Sequence, residues 1–83
     1  WAAPNPFAPA NNPTIFHVQT QDTYQSFTID IFNLTGQKMR TLRNGSNIWD
    51  GKDGSNQLVE SGLYIYQIRT DDEVISGTVV VIR

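Results

Sequence analysis

The sequence predicts an all-β protein: an antiparallel β-sandwich of about seven short strands, preceded by an extended Pro-rich N-terminal arm. Three observations carry this. After Pro13 the apolar residues recur with period two, and no helix-period stretch is longer than one turn. Turn signals return about every 8–12 residues, the spacing of a small sandwich. All four prolines lie at Pro4, Pro6, Pro9 and Pro13, and each fixes φ and biases its predecessor toward extended backbone.

The elements follow in order. Residues 1–13 form the arm, in polyproline or edge-strand conformation, with Trp1 and Phe7 as apolar anchors. Thr14–Thr20 alternates, with Phe16 and Val18 on one face and His17 and Gln19 on the other. Gln21-Asp22-Thr23 is a polar turn. In Tyr24–Asn33, Phe27, Ile29 and Ile31 point one way, with Thr28 and Asp30 opposite. Thr35-Gly36 turns the chain into Gln37–Leu42, whose wet side carries Lys38 and Arg40. Asn44-Gly45 is a turn, Ile48-Trp49 a short strand, and Asp50–Gln57 a tight polar loop. Gly62–Thr70 is a long aromatic strand, Thr70–Glu73 a hairpin turn, and Val74–Arg83 the last strand. Those last two strands are apolar on both faces, so each sits centrally or meets a partner. The domain division is therefore an arm at 1–13 and a sandwich at 14–83.

Composition excludes several classes. The 83 residues hold six Lys+Arg against eight Asp+Glu, a net charge of −2, which does not suit nucleic-acid binding. Asn, Gln, Ser and Thr total 26, nearly twice the 14 charged residues, a surface that suits an extracellular protein. With no cysteine there is no disulfide, thiol catalysis or thiolate metal site. No apolar run is long enough to span a membrane. The chain begins Trp1-Ala2-Ala3-Pro4, which fits a processed protein or a piece of a longer one.

Catalytic chemistry is poorly supplied. His17 is the sole histidine, on the polar side of a strand, and no serine stands in a nucleophile elbow. Asp71 and Asp72 sit in a hairpin turn, where carboxylates bond their own backbone. The loop Asp50-Gly51-Lys52-Asp53-Gly54-Ser55-Asn56 fails the EF-hand template, with Lys52 and Gly54 at ligand positions. Asp50, Asp53 and Asn56 are left as a weak calcium candidate. Trp49, Tyr64 and Tyr66 read as core, and Trp1, Phe7 or Tyr24 as the alternative of a sugar platform. Asn33 and Asn44 open N-x-[ST] sequons at turns and are candidate glycosylation sites. No enzyme activity, cofactor or small-molecule ligand is expected.

Four segments carry a family resemblance: Asn5–Phe7 (NPF), Ile29–Leu42 (IDIFNLTGQKMRTL), Trp49–Ile68 (WDGKDGSNQLVESGLYIYQI) and Gly77–Arg83 (GTVVVIR). In this order they resemble the immunoglobulin-like domain of the flagellar hook-capping protein FlgD and its relatives. Those relatives include type IX secretion sorting domains and gliding-motility C-terminal domains. The resemblance implies a seven-stranded immunoglobulin-like sandwich without catalysis. It also gives the motif residues structural roles: Gly36 as turn glycine, Trp49, Asp50 and Gly51 as a W-D-G corner, Gly62 and Tyr64 as a G-x-Y strand entry. Sorting domains usually lack that corner and carry a Lys-rich last strand, whereas only Arg83 is basic here.

The resulting expectation is a secreted, non-enzymatic structural module. It would assemble with copies of itself into a filament or tube, through the arm and a sheet edge. Trp1, Phe7, Val79 and Val81 are the expected contacts. The alternative is a C-terminal sorting, anchoring or spacer module that meets the other domains of a larger secreted protein.

Overall fold

The computed structural model of the chain describes residues 1–17, 27–43, 45–71 and 73–83. Its strands are β1 (Ala2–Ala3), β2 (Thr14–Phe16), β3 (Thr28–Phe32), β4 (Lys38–Leu42), β5 (Ile48–Trp49), β6 (Gly62–Arg69) and β7 (Val74–Val81). They form a three-stranded sheet in the order β1-β2-β5 and a four-stranded sheet in the order β4-β3-β6-β7. Every strand pair within these sheets is antiparallel. The turn expected at 21–23, Val18, Gln19, Tyr24, Asn44 and Asp72 lie outside the described residues.

Alternation builds the core, as expected for Ile29, Ile31, Tyr64 and Tyr66, and it also takes in Val79 and Val81, which were expected to face a neighbour. Ile29 and Ile31 of β3, Tyr64, Tyr66 and Ile68 of β6, and Val79 and Val81 of β7 point inward. Phe16 and Trp49 meet them from the smaller sheet, with Phe16 4.8 Å from Tyr66 and Trp49 5.6 Å from Tyr64 between ring centroids. Such tilted aromatic pairs add to the area they bury. Tyr66 crosses β7 at Gly77, its cross-strand partner, where an added Cβ would collide with the Tyr66 ring and hydroxyl. The glycine is what lets the ring lie flat against the strand.

Two features depart from simple alternation. The register of β3 against β4 pairs Ile31 with Arg40 but Phe32 with Lys38, which leaves Met39 as the extra residue of a bulge. The bulge separates Lys38 from Arg40. Lys38 stays on the wet face, reaching Asp30, while Arg40 turns toward Asp50 and the Lys52 carbonyl. The expected shared wet side is thus split.

The arm is the second departure. Residues 1–13 do not stand apart from the sandwich. Ala2–Ala3 is itself a strand, β1, paired with Ile15 and Phe16 of β2. Phe7 then bridges to Val81 in parallel across the open edge of β7. Between them the Ala3–Pro4 and Asn5–Pro6 peptide bonds are cis. One segment therefore stitches the edges of both sheets.

Candidate functional site

The seat of the arm is built from β7. Its register against β6 is continuous, so the even-numbered residues turn their peptide groups away from β6. Phe7 N–H donates to the Val80 carbonyl and Ile82 N–H to the Phe7 carbonyl, both at 2.9 Å. Two residues earlier, the Asn5 side chain continues the ladder. Its Nδ2 donates to the Thr78 carbonyl at 3.1 Å, and its Oδ1 accepts from Val80 N–H at 2.9 Å. The carboxamide occupies the place a backbone peptide group would take in an unbroken parallel strand. Phe7 is buried behind this ladder, 5.5 Å from Trp49. Thr14, also buried, donates its hydroxyl to the Pro4 carbonyl at 2.8 Å.

Beside the arm lies the W-D-G corner. The Trp49 indole is fully buried, and its Nε1 donates to the Lys52 carbonyl at 2.9 Å. Asp50 Oδ1 accepts from Lys52 N–H at 3.0 Å and pairs with Arg40 at 3.3 Å. Gly51 has φ +78, and a Cβ there would meet Pro9 Cγ at 2.5 Å. The glycine thus serves twice, once for its backbone and once for the arm that packs over it. Further on, Asp53 Oδ1 accepts from Ser55 and Gln57 N–H, and Asn56 takes φ +64. Asp50 Oδ1 and Asp53 Oδ1 are engaged in holding the loop, and among the described residues no group of three or more His, Asp or Glu could hold a metal ion.

The remaining motif residues have local roles. Gly36 has φ +89 in the turn closed by Asn33. Asn33 Oδ1 accepts from Thr35 N–H, Thr35 Oγ1 and Gln37 N–H, so this sequon asparagine clasps its own turn. Gly62 has φ +152 at the entry to β6. Tyr64 donates its hydroxyl to the Glu60 carbonyl at 2.7 Å, a tyrosine bonding back to the strand entry as in tyrosine corners. Burial, then the Glu60 charge, push that phenol above its ordinary range, with Arg83 opposing.

On the outer face of the larger sheet, Asp30 stands in the middle of β3 with its side chain 2% exposed. Sequence reasoning placed it on the polar side and missed that it is buried there. Burial disfavours its charge. The Thr41 hydroxyl, Lys38 and Arg69 outweigh that and hold the carboxyl below its usual range. The missed signal is a lone carboxylate central to a strand, with two cations on the strands to either side.

The expected assembly contacts do not share a surface. Phe7, Val79 and Val81 are core residues, since they occupy the inward positions of the β7 region. Trp1 alone is exposed, and its indole stacks on His17 at 4.6 Å. The sugar platform is likewise divided, with Phe7 buried and Tyr24 outside the described residues. The outward apolar residues of this region are Leu63 on β6, Val74 on β7 and Ile82 just past it, all exposed.

The sandwich with its stitched arm and corner defines an immunoglobulin-like β-sandwich module whose motif residues serve its own structure. The chain belongs to the CHU_C family, the type IX secretion signal domain, whose family model matches residues 2–81. Membership implies a secreted or cell-surface protein. The comparisons thus bear out the secretion and gliding branch of the resemblance and do not show the FlgD-like one. Among solved structures, the chain is similar to PorZ, an essential bacterial surface component of the type IX secretion system of Porphyromonas gingivalis. The match has a TM-score of 0.74 at 18% identity and covers 100% of this chain and 11% of PorZ, which shows a shared fold. The chain spans about a ninth of PorZ's length. No curated protein matches the sequence.

Proposed function

We propose that the chain is a sorting module: a non-enzymatic domain at the C-terminus of a larger secreted protein, which addresses that protein to a type IX secretion machinery. The observation that carries this reading is the family match over residues 2–81, nearly the whole chain. The fold supports it. The arm, the corner and the aromatic core close one self-supporting unit that an unrelated cargo domain could precede. The partner in this reading is protein, namely the machinery and the cargo. The filament expected from the arm finds no support, because Phe7 is occupied inside its own chain.

The test is a fusion. Residues 1–83 are placed after a soluble reporter in a bacterium with a type IX system and in the same strain lacking it. Reporter outside the cell or on its surface only in the first strain supports the reading. Equal retention in both strains overturns it, provided immunoblotting shows the fusion intact.

A further inference from the structure

The ladder that Asn5 and Phe7 build on β7 stops partway along the strand. A continuous parallel strand would next have bonded the Ser76 carbonyl and Thr78 N–H, but there the arm leaves for β2 through Pro4. By the same alternation, the peptide groups of Ser76 and Val74 also face outward. They have no partner among the described residues. Nothing blunts this stretch, Val74-Ile75-Ser76-Gly77: it has no Lys, no Pro and no bulge. The edge of β4 differs, for it carries Lys38, a bulge, and Gly54 N–H bonded to the Met39 carbonyl.

A cleft of about 220 Å³ adjoins this open half-edge, lined by Trp1 and His17 from the smaller sheet and by Ile68 and Ile75 from the larger. Asp71 and Glu73 are exposed in the turn that enters β7, while the nearby Arg69 is committed to Asp30. Open peptide groups supply affinity in strand addition, and an adjoining side-chain pocket supplies selectivity.

We infer that the Val74–Thr78 edge of β7 is a docking site for an extended, basic peptide segment of a partner protein. The segment continues the arm's ladder and places one large apolar side chain in the Trp1–His17–Ile68–Ile75 cleft. The arm shows that this edge accepts a strand, and the acidic turn selects the charge. The inference concerns the edge itself and does not depend on the sorting reading.

The test uses the full chain, 15N-labelled, and a capped octapeptide of alternating lysine and valine with one central phenylalanine. Expected are shifts at the amides of Val74–Thr78 and at the Trp1 indole, with Asn5 and Phe7 unmoved. Ser76→Pro removes an outward N–H and leaves the β6 ladder whole, so it is expected to weaken binding about tenfold. The same peptide with alternate amides N-methylated removes the peptide's donors without touching the protein. It is expected to weaken binding as much, and it decides the matter if Ser76→Pro fails to fold. Lysine replaced by glutamate in the peptide is expected to abolish the shifts. The inference is overturned by absence of shifts, by binding that survives N-methylation, by glutamate peptide binding equally well, or by shifts at Asn5 and Phe7 that show the arm displaced.

Discussion

Residues 4–13 and residues 49–59 are two largely irregular regions beside the core, and they hold their shapes by opposite means. The corner and loop at 49–59 are largely self-made: Asp50 bonds Lys52, Asp53 bonds Ser55 and Gln57, and Val59 N–H returns to the Gly51 carbonyl. The arm has only one short turn of its own, where Asn11 and Asn12 N–H meet the Ala8 carbonyl. Its shape comes from residues more than seventy positions away, through Asn5 and Phe7 on β7. The two regions touch where Pro9 covers Gly51. Local bonding makes a loop legible in its own residues. Distant bonding makes a segment look like a linker until its partner is seen.

Removing the arm is the hardest blow to this comparison. A chain lacking residues 1–13 loses β1, Phe7 and Pro9 together, and is expected to lose its cooperative thermal transition in calorimetry. A truncated chain that unfolds cooperatively near the parent temperature would return the arm to the status of a linker. Trp49→Ala should cost about 3–5 kcal/mol in denaturant titration, since it empties the centre of the aromatic core. Phe7→Ala should cost about 3 kcal/mol, the toll of a core phenylalanine and not of a surface one. A loss below about 0.5 kcal/mol, usual for surface sites, would sever the arm from the core.

Gly51→Ala sharpens the contact between the regions. Clash with Pro9 and positive φ together are expected to cost about 2–4 kcal/mol. In a double-mutant cycle, Pro9→Ala should recover most of the steric part, the clash with Pro9 Cγ, and leave about 1–2 kcal/mol of backbone strain. Full additivity would show that the two do not press on each other. Asn5→Ala should cost about 1–2 kcal/mol for two exposed bonds.

Asp30 lies in neither region and gives an acid-range reference. Its folded pKa is lowered from 3.8, so its contribution is present above that value and is lost as pH falls through the folded pKa. Asp30→Asn is expected to flatten that acid limb while the Asn5 and Phe7 variants keep it. An unchanged limb in Asp30→Asn would show that other carboxylates set it.

The strands were legible because period two survives in β3, β6 and β7, whose inward residues are bulky and mostly apolar, Gly77 apart. The W-D-G corner was legible because aspartate and glycine declare turns locally. Lys38 and Arg40 were misplaced together because a bulge costs one residue and leaves no mark on a polar run. The roles of Phe7, Val79 and Val81 were misjudged because apolar residues in an arm and in a two-sided strand look alike whether they face a neighbour or one another. The Asn5 ladder had no local signal at all, for its acceptor and donor belong to Thr78 and Val80.

The parallel sense of the Phe7–Val81 bridge has a mechanical consequence. Suppose tension pulls the arm back from Asn5 while β7 is drawn forward from Val81. The two strands must then slide past each other. Their four hydrogen bonds, two from the Asn5 carboxamide and two from the Phe7 backbone, bear that load side by side. They give way together and do not peel one at a time, as the rungs of a hairpin pulled from its open end would.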